Sequence, residues 1–378
     1  MKHFSYVNKN IFIEQPINFN RNTEKDLLQF ALGATMYMPG TKDIYHAIIN
    51  KKWPELTSMV MCFEDAIPEE DLELAEETVF GFLDKMAKAL KESIITINDL
   101  PLFIIRVRNI DQFVNFTNSL SKDQIELLTA FNFPKMTASN VRPYFSQLEK
   151  LNQKFSLNLY GMPIIESAEA AFIENSQQEL VDLKNALLKY SELVLNIRVG
   201  ATDFSSLFGV RRSIDSTIYE VLTVRDSLSN ILNVFTRNDV NYVVSAPVWE
   251  YFDTQNVPKR PGTDNFIEDL LSRKPLFNKA IDGLLREILQ DKNNGFIGRT
   301  IIHPTHIKFV NAMQAVTLEE YEDAKQVLNT IGGVIKSIKS NKMNEINPHR
   351  SWATKILSRA KVFGVIKDTN DYVKLFDL

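Results

Sequence analysis

The sequence predicts an α/β protein built as a (β/α)8 TIM barrel with a C-terminal helical extension. Apolar runs of about six to eight residues alternate with longer segments of helical period, which is typical of βα units around a parallel sheet. Three of the runs end in an acid, at residues 59–65 (MVMCFED), 159–166 (LYGMPIIE) and 194–203 (VLNIRVGATD). Parallel barrels place their active sites at the carboxyl ends of their strands. The three acids therefore suggest a divalent cation and chemistry on an oxyanion.

Strand candidates recur along most of the chain, with helical segments between them. One such segment has an apolar stripe formed by Leu72, Ala75, Val79, Phe82, Leu83, Met86 and Leu90. A doubly wound open sheet is the alternative, but it normally has a Gly-rich turn after its first strand. Here that turn reads MPGTK, with a single Gly, so the barrel is favoured. The eight candidates are residues 31–38, 58–63, 102–107, 128–134, 158–165, 193–199, 241–246 and 296–302.

The barrel is expected to span residues 29–315, with additional segments at both ends of the chain. Residues 1–28 are polar and Asn-rich, and they predict an extended lead-in with a short helix near residues 22–29. Within the barrel, segment 248–262 follows the seventh strand and is a candidate lid or substrate loop.

The C-terminal extension, residues 316–378, is predicted to be helical over 318–340 and 351–359, with a linker at 341–349. Its last part, residues 340–378, is too apolar to be exposed to water. We expect this tail to reach the barrel mouth of its own subunit or of a neighbouring one.

Composition excludes several classes of partner. The formal net charge is −4, the pI is near 5.9 and the 43 Lys and Arg are scattered, so no nucleic-acid surface is expected. Cys62 is the only cysteine, which rules out an intramolecular disulfide and a cysteine zinc cluster. The amino terminus lacks the apolar core of a signal peptide, and no apolar run approaches about 20 residues. We therefore expect a cytoplasmic protein with no membrane partner.

Glu166 and Asp203 are the candidate metal ligands. They end the fifth and sixth strand candidates, which are neighbours in a barrel. Mg²⁺ takes oxygen ligands and is usually bound through one or two carboxylates. The alternative is that each acid lies in the first turn of a helix, where the helix dipole favours it.

Four basic residues lie in or directly after strand candidates, where a charge needs a partner. Arg106 lies inside the third strand candidate, where an unpaired charge is costly, and its planar fork suits a substrate carboxylate. Arg108 faces the same side of the chain as Arg106, so one of these two arginines is expected to be structural. Arg198, in the sixth strand candidate, either binds the substrate or forms an ion pair. Lys135 ends the fourth strand candidate and either holds an anion or starts a helix.

Two further pairs are ambiguous. Glu64 and Asp65 close the second strand candidate, where they either support the site from behind or form a surface acid pair. His303 and His306 lie three residues apart, like a metal pair, but Pro304 more simply marks a helix start, which favours a structural or loop role.

Seven motif blocks over residues 33–311 resemble, in order, the citrate lyase β-subunit and HpcH–HpaI aldolase superfamily of C–C bond lyases. The carboxyl-terminal segment INPHRSWATKILSRAKVFGV is similar to the branch of that superfamily encoded beside tellurium-resistance genes. The blocks are LGATMYMPGTK, CFEDAIPEEDLELAEETV, IRVRN, FPKM, IIESAEA, VGATDFSSLFG and GFIGRTIIHPTHIKFVN.

The resemblance implies a role for each matching position. Glu166 and Asp203 correspond to the Mg²⁺ ligands, with Mn²⁺ as an alternative ion, and Arg106 to the residue that binds the oxo-acid or its enolate. The remaining positions are catalytic supporting acids or substrate-binding residues. The supporting acids are Glu64 and Asp65, and the substrate-binding positions besides Arg106 are Lys135, Pro39 and Gly40.

The resemblance further implies Mg²⁺-dependent cleavage or formation of a C–C bond. The substrate would be a small oxo- or hydroxy-acid or its CoA thioester, such as citryl-, malyl- or citramalyl-CoA, handled by a homo-oligomer (trimer or hexamer). Cys62 and Thr202 stand where the family often has acids, and no C-terminal catalytic acid can be aligned, which leaves CoA use open. Two alternatives remain: a pyruvate- or phosphoenolpyruvate-handling barrel, and a catalytically reduced metal-binding scaffold in a stress-response complex.

Overall fold

The computed structural model describes residues 1–255 and 262–377, and its centre is a barrel of parallel strands. Each strand pairs with its neighbours in chain order around the barrel. A bridge between Ala246 and Arg299 closes the circle, and Thr300 N donates to Ala246 O at 3.1 Å. The predicted TIM barrel is confirmed. Its eight strands are β2 (Ala34–Pro39), β3 (Ser58–Cys62), β4 (Leu102–Arg106), β5 (Leu128–Phe133), β6 (Tyr160–Ile165), β7 (Ile197–Val199), β8 (Val244–Ser245) and β9 (Arg299–Ile301).

Helices surround the barrel and continue beyond it. The long helix after β3 buries Ala75, Val79, Phe82, Leu83 and Met86 of its predicted stripe. The α-helices are α1 (Lys25–Ala31), α2 (Tyr45–Ile49), α3 (Leu72–Lys91), α4 (Ile110–Ser119), α5 (Lys122–Ile125), α6 (Val141–Phe155), α7 (Ala168–Ala171), α8 (Ser176–Leu188), α9 (Ala201–Leu207), α10 (Leu222–Phe235), α11 (Phe266–Leu271), α12 (Lys279–Asn294), α13 (Ile307–Ala312), α14 (Leu318–Asn329), α15 (Ile346–Phe363) and α16 (Tyr372–Leu375).

Each predicted strand overlaps an observed one. Strands β3 to β7 are buried along their whole length. Parallel strands covered on both faces read as continuous apolar runs, so the pattern in the sequence is strong. No helix in the described residues is long and apolar enough to cross a membrane.

The extension contains a β-hairpin that the sequence analysis missed. Strands β11 (Val334–Lys336) and β12 (Met343–Glu345) pair antiparallel between α14 and α15. The helix predicted over 318–340 is confirmed only as far as Asn329, where α14 ends, and the helix predicted over 351–359 lies within α15. The linker predicted over 341–349 is wrong, because these residues contain β12 and the start of α15. Gly332 and Gly333 have φ of +64° and +84°, a conformation that favours glycine and does not continue a right-handed helix.

The two ends of the chain pack against each other. Strand β1 (Phe12–Glu14) pairs antiparallel with β13 (Val365–Ile366), which pairs in parallel with β10 (Val316–Thr317). His3 stacks on the ring of Phe363, with centroids 4.3 Å apart. The lead-in is thus anchored to the C-terminal segment.

The end of the chain is part of the main core. Phe363, Tyr372 and Phe376 are buried in the same cluster as the barrel side chains, α15 contacts α1, and α16 contacts α13. No described residue of the tail, 340–377, lines the cavity at the carboxyl ends of the barrel strands, and removing the tail would take buried side chains out of the core. Whether it reaches a neighbouring subunit stays a prediction, as do the domain limits at residues 28 and 315.

Candidate active site

A cavity of about 500 Å³ opens at the carboxyl ends of the barrel strands. It has the size of a small-molecule site, and it is lined by a few charged groups among apolar ones. Its described lining residues are Tyr37, Asp65, Arg106, Ile164, Glu166, Arg198, Val199, Gly200, Ala201, Thr202, Asp203, Ser206, Val248, Glu250, Thr300 and Ile302.

The two candidate metal ligands meet in this cavity. Glu166 directly follows β6, and Asp203 lies in the first turn of α9, which follows β7. A Cβ atom added at Gly200 would lie 2.4 Å from Glu166 Oε2 and 3.0 Å from Asp203 Oδ2. The carboxylates therefore converge over Gly200, a position where any side chain would push them away.

The surroundings of Glu166 favour a bound cation or a proton. Glu166 is buried, and its Oε1 accepts hydrogen bonds from Lys135 N at 3.0 Å and Arg106 Nη2 at 3.1 Å. Burial raises the pKa of Glu166 to about 8, with the charge of Asp203 adding to the shift and Arg106 opposing it. Burial and the charge of Asp65 also raise the pKa of Asp203. Two carboxylates that share a site are stable together when a positive charge lies between them or when one of them is protonated.

Arg106 connects the acids of β3 with Glu166. Its Nη2 lies 2.5 Å from Glu64 Oε2, 2.9 Å from Asp65 Oδ2 and 3.1 Å from Glu166 Oε1. Burial alone would lower the pKa of Arg106, but Glu166 and Glu64 raise it well above its ordinary value. The guanidinium therefore stays charged and holds three acids in place.

Lys135 completes the group from the end of β5. Its backbone adopts φ +48°, which a non-glycine residue rarely does, and this conformation accompanies the hydrogen bond from its N–H to Glu166. Its Nζ donates to Glu64 Oε1 at 2.8 Å, and this bond raises the pKa of Lys135.

The charges of this group leave room for a divalent cation. When Glu166 is ionised, the four carboxylates Glu64, Asp65, Glu166 and Asp203 face two cations, Arg106 and Lys135, which leaves two negative charges for a divalent cation to compensate. No cluster of three or more His, Cys, Asp or Glu positioned to hold a metal exists among the described residues. A hard cation such as Mg²⁺ does not need one, because it keeps several waters and binds through one or two carboxylates. The donor set therefore fits Mg²⁺.

The comparison with protein families agrees with this geometry. A family described as C–C bond lyases of the TIM-barrel fold matches residues 26–365. The chain belongs to this family. The match favours lyase chemistry over the two alternatives left open by the sequence, and no curated protein matches the chain.

Two solved structures resemble this C–C bond lyase in fold. Protein CitE from Mycobacterium tuberculosis, in complex with magnesium, acetoacetate and coenzyme A, is 16% identical, with a TM-score of 0.52 over 88% of this chain and 99% of that chain. Haloferax volcanii malate synthase, in a magnesium/glyoxylate complex, is 11% identical, with a TM-score of 0.50 over 72% of each chain. At these identities the likeness shows the fold alone.

Some predicted residues of the lyase lie outside the cavity lining. Arg108 Nη1 donates to the carbonyls of Phe63 at 3.1 Å and Ile67 at 3.0 Å, so it holds the loop after β3. Pro39 ends β2, and Gly40 packs so tightly that a Cβ would lie 2.9 Å from the Phe63 ring. The substrate-binding role of Pro39 and Gly40 stays a prediction.

The histidines have structural contacts. His306 is buried, its Nε2 lies 3.1 Å from Tyr251 O, and burial lowers its pKa to about 3. His303 caps the short 3₁₀-helix Pro304–His306 and stacks on Phe252, with centroids 4.3 Å apart. In the segment predicted as a lid, Val248 and Glu250 line the cavity, while residues 256–261 lie outside the described residues.

Sequence reasoning missed Tyr37, Gly200 and Thr300 as lining residues. Tyr37 and Thr300 carried a usable signal, because each is a polar side chain in an apolar strand. Gly200 carried none by itself, since its importance comes only from the approach of Glu166.

Proposed function

We propose that this protein is a Mg²⁺-dependent carbon–carbon bond lyase or aldolase. Its substrate is a small oxo- or hydroxy-acid or the CoA thioester of one. The observation that carries the proposal is the convergence of Glu166 and Asp203 over Gly200. When both are ionised, the four carboxylates of the site exceed its two basic side chains by two charges. The family membership supports the reaction class.

In this proposal Glu166 and Asp203 hold the cation, and Mn²⁺ can replace Mg²⁺. When bound, the ion supplies Lewis-acid stabilisation of the oxyanion that develops on the substrate. Arg106 binds the oxo-acid at the cavity wall, where it is fixed by Glu64 and Asp65.

Lys135 contributes in two ways. Its backbone N–H orients Glu166, and its ammonium group adds positive charge beside Glu64. Both effects favour an anionic substrate at the carboxyl ends of β3 and β5.

The acid is a substrate either in its free form or as its CoA thioester. CitE, which resembles this chain in fold, is bound to coenzyme A, and this supports the thioester form. Cys62, at a position where the family often has an acid, is buried with its Sγ 3.4 Å from Glu64 N, and Thr202 lines the cavity. The free acid and the thioester are therefore both to be assayed. Assembly as a homo-oligomer and a cytoplasmic location complete the proposal.

Calorimetric titration of Mg²⁺ or Mn²⁺ tests the metal site. We expect one site per chain in the wild-type protein and at least about tenfold weaker binding in Glu166→Gln and in Asp203→Asn, because each loses a charged oxygen ligand. Glu179→Gln is a matched control, since Glu179 lies on α8 and accepts from Ala138 N outside the site. Unchanged affinity in both site variants would refute the assignment.

The same titration at several pH values provides a second test. With a pKa of about 8, Glu166 keeps its proton at neutral pH, so the cation must displace it. The affinity for Mg²⁺ should rise from pH 7 to pH 9, with protons released on binding. Because the folded pKa lies above the ordinary value of 4.5, the metal-free protein should lose stability as pH rises from about 4.5 to 8, and Glu166→Gln should abolish this loss.

A further inference from the structure

Arg198 crosses the inside of the barrel below the metal acids. It lies on β7, and its side chain is 1% exposed. Its Nη1 donates to Thr35 Oγ1 on β2 at 3.2 Å, and its Nη2 donates to Thr300 Oγ1 on β9 at 2.5 Å. The ring of Tyr37 lies 5.7 Å from the guanidinium carbon. Two hydroxyl groups and one aromatic ring thus hold the guanidinium in a fixed position.

The charge of Arg198 has no counter-charge among residues 1–255 and 262–377. Among the described residues no carboxylate forms an ion pair with it, and its Nε is buried without a hydrogen-bond partner. Three other buried arginines are paired: Arg106 with three acids, Arg212 with Glu250 and Glu287, and Arg299 with Glu287 and Asp291. Arg359, also buried, donates to the carbonyl of Gln314 without an ion pair, but it does not line this cavity. A buried charge without a partner is costly, so this position calls for an anion.

The guanidinium belongs to the wall of the cavity that holds the metal acids. Arg198, Tyr37 and Thr300 all line it. Arg198 lies on β7 and precedes Gly200, the residue directly after that strand, by two positions, which places its backbone roughly 6–7 Å deeper in the barrel than the point where Glu166 and Asp203 converge. One small molecule can reach both levels.

We propose that Arg198 binds a second carboxylate of the substrate. The substrate is then a small dicarboxylic oxo- or hydroxy-acid unit, with one carboxylate at the cation site and the other at Arg198, deeper inside the barrel. The Nε–H and the second N–H of an Nη atom form the planar edge that matches a carboxylate. The inference rests on the proposed function for the position of the first end, whereas the affinity of Arg198 for an anion does not depend on it.

Matched acids test the proposal by calorimetry on Mg²⁺-saturated protein. The probes are 2-oxoglutarate against 2-oxopentanoate and malate against 2-hydroxybutanoate, which differ within each pair by the second carboxylate. We expect the wild-type protein to bind each dicarboxylate at least about tenfold more tightly. Arg198→Met should remove that preference while leaving the affinity for the monocarboxylates and for Mg²⁺ within about threefold, because a hydrogen bond to a charged group is lost only in the dicarboxylates.

Stability separates this role from a structural one. If Arg198 only braces the barrel floor, Arg198→Met should lower the melting temperature and change both members of each pair alike, which would overturn the proposal. If it binds an anion, the neutral side chain removes an uncompensated charge, and the melting temperature of the ligand-free variant should be unchanged or higher. Should Arg198→Met fail to fold, the wild-type comparison decides alone: equal affinities within both pairs overturn the proposal.

Two outcomes distinguish this inference from the proposed function. A wild-type protein that binds no divalent cation but prefers dicarboxylates through Arg198 would refute the metal-dependent lyase and retain the anion site. A protein that binds the cation but binds monocarboxylates and dicarboxylates with equal affinity would retain the metal-dependent lyase and refute the anion site. The wild-type protein could instead bind phosphoenolpyruvate more tightly than pyruvate, lose this preference in Arg198→Met, and show no preference for the dicarboxylates. That result would overturn the carboxylate assignment.

Discussion

The substitution Gly200→Ala should damage the candidate metal site through steric contact alone. Gly200 has φ −103°, which any residue can adopt, so the alanine backbone is not strained. Its new Cβ, however, would lie 2.4 Å from Glu166 Oε2 and 2.5 Å from Glu166 Cβ, where ordinary contacts begin at 3.4 Å. The Glu166 side chain must therefore move by about 1 Å.

The size of the effect follows from what Glu166 would lose. Its Oε1 is 3.0 Å from Lys135 N and 3.1 Å from Arg106 Nη2, and a shift of about 1 Å takes both contacts out of hydrogen-bond range. Hydrogen bonds to charged groups contribute about 1.5–3 kcal/mol each, and partial relaxation recovers some of this. We expect Gly200→Ala to lower the free energy of unfolding by about 2–4 kcal/mol and the affinity for Mg²⁺ by at least tenfold.

Urea unfolding without metal and calorimetric titration of Mg²⁺ measure the two effects separately. Gly81→Ala in α3 is the matched control, because a Cβ there meets no atom within 4 Å. This control should bind Mg²⁺ normally and gain about 0.5–1 kcal/mol of stability from the better helix former. If Gly200→Ala keeps wild-type stability and affinity, Glu166 and Asp203 do not converge over Gly200 and the reasoning fails.

The remaining predictions concern Arg106 at the end of β4, Arg108 just after it, and the assembly of the chain. Arg106→Lys should weaken oxo-acid binding at least about tenfold with the melting temperature within a few degrees, because Lys keeps the charge but lacks the planar fork. Arg108→Lys should instead lower stability by about 1–2 kcal/mol and leave acid binding intact, since Arg108 holds two loop carbonyls. The reverse pattern would exchange their roles. Light scattering should give the mass of a trimer or a hexamer, and a monomeric mass would contradict the proposed homo-oligomer.

The sequence alone was sufficient for the barrel and for the convergence of Glu166 and Asp203. Buried parallel strands produce apolar runs that are visible without a structure, and the acids that follow such runs must lie at the same end of the barrel. Glu166 and Asp203 meet in the cavity for this reason. The sequence was insufficient in the extension, where the helical period of residues 318–340 masked two glycines with positive φ and the hairpin between β11 and β12.

Only the tertiary structure decided what the individual arginines do. Arg106, Arg108 and Arg198 all lie in or next to apolar strands, and in the sequence they look alike. They differ in their partners: three carboxylates for Arg106, two carbonyls for Arg108, and the hydroxyls of Thr35 and Thr300 for Arg198. Strands β2, β7 and β9 are far apart in the chain and come together only when the barrel closes. The electrostatic balance of a buried charge depends on such distant neighbours, so local sequence determines where an arginine lies but not what neutralises it.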